Sequence, residues 1–124
     1  MFLSVVIPTY NRLPILRQCL KALERQQLGS PLQGYEVVVV DDGSTDATET
    51  WIQAEQHAGR LSHVRLILQE HGGPAAGRNR GVEACRGDVV VFIDSDLVVT
   101  DGFLLSHARA LADDWQRHGD QHSF

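Results

Sequence analysis

Four consecutive valines, Val37 to Val40, run straight into Asp41-Asp42-Gly43-Ser44. A β-branched run without polar alternation reads as a strand buried on both faces, and such strands occupy the middle of parallel sheets covered by helices. Parallel neighbours cannot be joined by a tight turn, so strands must alternate with long crossovers. The rest of the chain has that rhythm.

Phe2 to Pro8 is a short apolar run and the expected central strand. Asn11 to Gly29 has Ile15, Leu16, Cys19, Leu20 and Leu23 at helical spacing, with Pro14 in the first turn and Gly29 as the stop. After a turn at Ser30 to Gly34, Tyr35 to Val40 forms the second strand. Ser44 or Thr45 is expected to cap a helix reaching Ala58, with Ala47, Trp51, Ala54 and Ala58 on one face and Gly59 closing it. Asp46 reads as an acid in that helix's first turn. Val64 to Leu68 is the third strand, and Pro74 opens a helix through Cys85 after the flexible Glu70-His71-Gly72-Gly73. Its small residues, Ala75, Ala76, Gly77, Gly81 and Ala84, would let it lie close to a sheet or a ligand. Val89 to Ile93 is the fourth strand, and Thr100 or Asp101 starts a last helix containing Leu104, His107, Ala108, Leu111 and Trp115. This predicts an α/β three-layer sandwich on a mainly parallel sheet over residues 1–115, with 116–124 a polar, flexible tail.

Composition narrows the function classes. The 124 residues carry a formal charge of -5 and contain no run of Lys and Arg, which argues against a nucleic-acid partner. Cys19 and Cys85 match no metal spacing and read as buried thiols of a reducing compartment. The N-terminus has neither the basic region nor the length of a signal peptide or membrane span. A cytoplasmic chain is expected, or one held at a membrane through other segments or partners.

Parallel sheets place ligands beyond the carboxyl ends of their strands. Three such ends are polar here: Pro8-Thr9-Tyr10-Asn11, Asp41-Asp42-Gly43-Ser44 and Asp94-Ser95-Asp96. Asp94 and Asp96 form either a solvated acidic turn or a site for Mg²⁺ or Mn²⁺, whose preference is for oxygen ligands. Asp41 can orient its loop through local hydrogen bonds, and Asp42 can accept a proton from a ligand such as the imide N–H of a base. Thr9, Tyr10 and Asn11 can offer an aromatic platform and hydrogen bonds to a planar ring or sugar. Arg78 and Arg80 point in different directions on their helix, so one can meet phosphate. Asn79, nearer the face set by Ala75 and Val82, either bonds loop backbone or orders a ligand.

Together, Ser4-Val5-Val6-Ile7-Pro8-Thr9-Tyr10-Asn11-Arg12, Val39-Val40-Asp41-Asp42-Gly43-Ser44-Thr45-Asp46, Gly73-Pro74-Ala75-Ala76-Gly77-Arg78-Asn79-Arg80-Gly81 and Gly87 to Asp96 resemble family 2 of the glycosyltransferases, which have the GT-A fold. The resemblance runs from about residue 3 to 112 and implies a sheet order of 3-2-1-4. It implies a nucleotide-diphosphate sugar donor, usually a uridine one, with Pro8, Thr9, Tyr10 and Asn11 around the nucleoside and Asp42 meeting the base. Asp94, Ser95 and Asp96 match the Asp-x-Asp motif, with Asp96 the safer metal ligand; Arg78 and Asn79 shape the donor pocket. The implied reaction passes a sugar with inversion to an acceptor hydroxyl, on a saccharide or a lipid-linked glycan.

In that family the general base comes from the C-terminal half. The chain stops about one helix after Asp96, so it is expected to end before the acceptor-binding half, and no residue here is assigned as base. A donor-binding remnant or assembly domain without activity is the alternative. Apolar surface left uncovered would favour a homo-oligomer or association with the remaining half. A dinucleotide oxidoreductase is excluded because the first turn lacks Gly-x-Gly-x-x-Gly. A phosphate-accepting receiver is excluded because its acidic pair should follow the first strand, whereas Asp41-Asp42 follows the second.

Overall fold

The computed structural model describes residues 1–118. Eight elements alternate: β1 (Phe2–Thr9), α1 (Leu13–Glu24), β2 (Gly34–Asp41), α2 (Thr48–His57), β3 (Val64–Leu68), α3 (Pro74–Ala84), β4 (Val89–Phe92) and α4 (Phe103–His118). The four strands form one sheet in the order β3-β2-β1-β4, with every neighbouring pair parallel. The expected order and the expected strand class are both observed.

The valine run behaves as its composition requires. Val37 to Val40 are fully buried, Val37 and Val39 against one layer and Val38 and Val40 against the other. The larger core lies on the face of Leu3, Val5 and Ile7, where α1, α2 and α4 contribute Leu16, Leu20, Leu23, Ile52, Leu104 and Ala108. Each large apolar side chain removed from water there contributes about 1.5–3 kcal/mol. The opposite face holds α3 against Val6, Val38 and Val40. Handedness explains the division. From β1 to β3 the chain steps one way across the sheet; α3 then carries it back past β2 and β1 to β4. A right-handed crossover taken in the reverse direction must use the other face.

Helix boundaries depart from expectation where side chains take over the capping. α1 ends at Glu24, five residues before Gly29. Its free carbonyls are met by side chains: Gln26 Nε2 donates to Ala22 O, and the Tyr35 hydroxyl donates to Leu23 O. Gln26 also donates to Thr100 O and accepts from Leu104 N–H, fastening the end of α1 to the start of α4. Gly29 instead pairs with Leu32 in a small turn. Ile15, expected on the apolar face, is exposed.

α2 begins at Thr48, and the hydroxyls of both candidate caps are engaged elsewhere: that of Ser44 accepts from Asn11 N–H, and that of Thr45 donates to Asn11 Oδ1. Asp46 precedes the helix and accepts from the Thr48 amide and hydroxyl. The buried face is Thr48 and Ile52, not the alanine row; Trp51 is half-buried with the Arg17 guanidinium 5.5 Å above its ring. α4 runs through His118, three residues past the expected boundary, and residues 119–124 of the expected tail lie outside the described residues.

Both cysteines are free thiols, Cys19 buried and Cys85 only half-buried. Burial, helped by the negative charge of Asp96, pushes the Cys19 thiol up to about 12.

Candidate functional site

The change of face between α1 and α3 creates a switch point between β1 and β4. The connection leaving β1 runs to α1 on one face while the connection leaving β3 crosses to α3 on the other, and a crevice opens between these diverging segments at the carboxyl ends. A cleft of about 460 Å³ lies at this place. It is within the usual size range of small-molecule sites, about 300–1,000 Å³.

β1 and the loop after it supply Pro8, Thr9, Tyr10 and Arg12; the loop after β2 supplies Asp42; the loop after β3 and the start of α3 supply His71, Gly73, Pro74 and Arg78; and the turn after β4 supplies Asp94, Ser95 and Asp96. Eight residues anticipated from sequence therefore converge: Pro8, Thr9, Tyr10, Asp42, Arg78, Asp94, Ser95 and Asp96. The glycines of α3 allow the approach. Gly77 sits under Pro8, and a Cβ at Gly81 would overlap Val6 Cγ1.

Two anticipated residues stand apart from the lining. Asn11 is held at a φ of 50°, a left-handed conformation that asparagine tolerates. Its side-chain oxygen accepts from the Thr45 and Asp46 amides, tying the loop after β1 to the loop after β2. Asn79 is exposed, because the sheet-facing side of α3 is set by Gly77 and Gly81, four residues apart, and position 79 falls between them on the far side. Ala75 and Val82, which had seemed to mark the apolar face, are themselves exposed.

Asp41 does orient its loop: its Oδ1 accepts from the Ser44 amide. Asp42, only 4% exposed, is more heavily engaged. Its Oδ1 accepts from Gln69 Nε2 at 2.8 Å and from Gly72 N–H at 2.7 Å. Its Oδ2 accepts from Gly73 N–H at 3.0 Å and stands 2.8 Å from His71 Nδ1. A carboxylate offers about four acceptor positions, so a ligand N–H meets Asp42 only in exchange for one of these donors. Burial pushes this carboxyl up, but the hydrogen bonds from Gln69, Gly72 and Gly73 and the neighbouring His71 outweigh it and hold the group below the usual carboxylate range.

In the turn after β4, Ser95 points inward and is buried while Asp94 and Asp96 are exposed to the cleft. The turn is closed by Leu97 N–H donating to Asp94 O. Among the described residues no group of three or more His, Cys, Asp or Glu side chains can hold a metal ion. Two adjacent carboxylates still fit a hard cation that completes its shell with phosphate oxygens and water, as Mg²⁺ commonly does. Thr9 lines the cleft with its hydroxyl turned away from solvent. Its buried hydroxyl has no hydrogen-bond partner among the described residues, a deficit of about 1–3 kcal/mol.

Sequence reasoning passed over Arg12 and His71. Arg12 was legible, being the next residue after a polar strand end and basic beside an acidic cleft. His71 carried no signal, since only the fold brings it to Asp42, 29 positions earlier in the chain.

The chain matches the model described as "Glycosyl transferase family 2" over residues 4–117. It is 39% identical over 98 residues to an undecaprenyl-phosphate 4-deoxy-4-formamido-L-arabinose transferase of Pseudomonas fluorescens, covering 77% of this chain and 28% of that one. S. aureus TarS 1-349, solved in complex with UDP-GlcNAc, superposes with a TM-score of 0.76 at 32% identity over 94% of this chain and 32% of that one. The mannosyltransferase PcManGT of Pyrobaculum calidifontis, solved with GDP-Man and Mn²⁺, superposes with a TM-score of 0.65 at 31% identity over 76% of this chain and 27% of that one. The chain spans about a quarter of the length of the curated relatives it matches. Within that span the superposition on TarS and the parallel 3-2-1-4 sheet bear out the expected GT-A architecture.

Proposed function

The chain belongs to glycosyl transferase family 2, and on that footing we propose that its cleft binds a nucleotide-diphosphate sugar, a uridine one, for transfer to an acceptor hydroxyl with inversion. The observation that carries this reading is the convergence of an aromatic strand end, two arginines and an acidic pair on one crevice at the switch point. The UDP-GlcNAc complex of TarS supports the choice of donor.

Each residue has a task set by its chemistry. Tyr10 is the platform for the nucleobase, with Pro8 and Asp42 bordering the nucleoside. Arg12 and Arg78 face the diphosphate, where a guanidinium can donate two parallel hydrogen bonds. Asp94 and Asp96 would hold Mg²⁺ or Mn²⁺, with Ser95 setting the turn, and Mn²⁺ in the PcManGT structure supports this. When bound, the ion offsets charge developing on the departing nucleoside diphosphate. A diphosphate cannot otherwise approach two bare carboxylates closely.

No cleft carboxylate among the described residues is free to act as general base. Asp42 is saturated by loop donors, and Asp94 and Asp96 would be taken up in holding the cation. Proton removal and acceptor positioning therefore belong to residues outside this set. A saccharide or lipid-linked acceptor is proposed, the latter supported by the undecaprenyl-phosphate named for the Pseudomonas relative. Among the described residues no helix is long and apolar enough to cross a membrane. We propose that the chain works in the cytoplasm, which its two free thiols support, or at a membrane through other segments or partners.

Calorimetry with uridine diphosphate, with and without Mn²⁺, tests the reading on this chain and on Asp96→Ala. The wild type should bind, and Mn²⁺ should tighten binding by offsetting the repulsion between the diphosphate and the two carboxylates; Asp96→Ala should lose that gain. Equal, metal-independent binding by both proteins would remove the metal role. No binding by the wild type would favour a donor-site remnant or an assembly domain. Loss of a general base costs about 10²–10⁴-fold, so vigorous transfer by this chain alone would overturn the placement of the base.

A further inference from the structure

The loop between β3 and α3 presents an imidazole to the cleft in a fixed orientation. His71 Nδ1 lies 2.8 Å from Asp42 Oδ2 and 3.2 Å from the Asp42 carbonyl oxygen. Two acceptors facing one ring nitrogen place the proton on Nδ1 and pin that edge of the ring. The Asp42-Gly43 turn is shaped to admit this loop: Gly43 has a φ of +83°, and a Cβ there would stand 3.2 Å from His71 N. Yet the His71 side chain is 63% exposed. Its ring centroid lies 4.6 Å from that of Tyr10, with the planes inclined at 41°.

An exposed aromatic ring anchored at one edge and leaning on another exposed ring costs side-chain entropy for little gain in burial. The arrangement has a use if the two rings act together on a ligand. At 4.6 Å the rings leave no room for a third ring between them, since two stacking distances sum to about 7 Å. A planar base must lie across the pair from outside, with Tyr10 and His71 forming one corner of the wall. We propose that His71 is a positioning and base-recognition residue of the donor cleft. Asp42 holds its imidazole, and the imidazole holds the Tyr10 ring at the angle that receives the nucleobase. This rests on the donor-site reading above and refines it by giving Asp42 an indirect role through His71.

The ring and the hydrogen bond can be separated. His71→Phe keeps a ring against Tyr10 and loses the donor to Asp42; His71→Asn keeps a donor and loses the ring; His71→Ala loses both. Binding of uridine diphosphate and of inorganic diphosphate is measured on each full chain with Mn²⁺ present throughout. His71→Ala and His71→Asn should weaken uridine diphosphate by about 2- to 12-fold, the range spanned by aromatic pairs, while inorganic diphosphate binds as in the wild type. His71→Phe should restore part of the loss, through the ring, and leave the remainder that the Asp42 anchor contributes. A wild type that binds no uridine diphosphate would remove the donor-site reading itself. If the wild type binds and His71→Ala binds equally well, only the role of His71 fails. Weakening of both ligands alike, or rescue by Asn rather than Phe, would mark His71 as a loop fastener and overturn its part in base recognition.

Discussion

Glu36 lies in β2, and its buried carboxylate accepts from the Ser4 hydroxyl, the Arg86 amide and Arg65 Nη1. It thereby joins β1, β2, β3 and the turn before β4 at the amino ends of the strands, opposite the cleft. Burial pushes its carboxyl up, but Ser4, Arg86 and Arg65 together hold it below the ordinary value of 4.5. A carboxyl depressed on folding contributes stability that is full above its unfolded value and is lost as pH falls through the folded one. Glu36→Gln should therefore cost stability near neutrality and progressively less as the solution is acidified towards about pH 3. Arg65 is 32% exposed, so the loss should stay below the roughly 3–5 kcal/mol of breaking a fully buried pair, at about 1–3 kcal/mol. Urea midpoints of both proteins at the two pH values check this; a gap that does not narrow in acid would show that the charge of Glu36 is not the source. At this scale the sequence was legible for placement, since Asp94 and Asp96 line the cleft at the strand end where the sequence puts them. It was silent where the role is a partnership, as with Asp42 and His71, because partners are chosen by the fold.

At the scale of elements, α3 shows how packing overrides propensity. Its glycines lower helix propensity by about 1 kcal/mol each, yet both face the sheet. A Cβ at Gly81 would overlap Val6 Cγ1 and press on Val40, whereas one at Gly77 meets Pro8 Cβ at 3.1 Å. Overpacking a core costs about 1–3 kcal/mol, which exceeds the propensity gained on replacing glycine. Gly81→Ala should therefore destabilise by about 1–2 kcal/mol, and by more than Gly77→Ala, where the overlap is smaller. Denaturant unfolding of the two variants gives the comparison; the reverse ranking would mean that α3 shifts freely over the sheet. The close approach was foreseen from the small residues of this helix. The ends of α1 and α2 were not: Gln26 and Asp46 serve terminal groups four and two residues away in place of the expected stops and caps, Tyr35 reaches Leu23 O from 12 positions on, and Asn11 takes the Thr45 amide from 34 positions back.

For the whole molecule, the open question is the surface around β4. It is an edge strand of the sheet, and Phe92, Leu97 and Val98 at and beyond its end are 50%, 42% and 62% exposed. Apolar groups beside a row of unpaired backbone donors and acceptors favour association. Sedimentation of this chain should show mass rising with concentration or loss to aggregates, and Phe92→Ser with Val98→Ser should shift it towards monomer. A clean monomer over a wide concentration range would show that this surface is tolerated in water.

Val37 to Val40, with apolar runs on either side and helical patterns between, were enough to specify a parallel α/β sheet. Burial on two faces leaves few other solutions, and backbone handedness then assigns the helices to layers. The strand-end motifs likewise determined that chemistry would gather at one edge, since the carboxyl ends of parallel strands all open the same way. The tertiary structure alone decided which of those polar residues face the cleft. It turned Asn11 to bracing a loop, placed Asn79 in solvent, drew Arg12 and His71 into the lining and filled the acceptor positions of Asp42 with loop donors. Periodicity is a local property that a chain carries in its sequence. A hydrogen-bond partner is settled only when burial forces each polar group to find one, and by then it can come from anywhere in the fold.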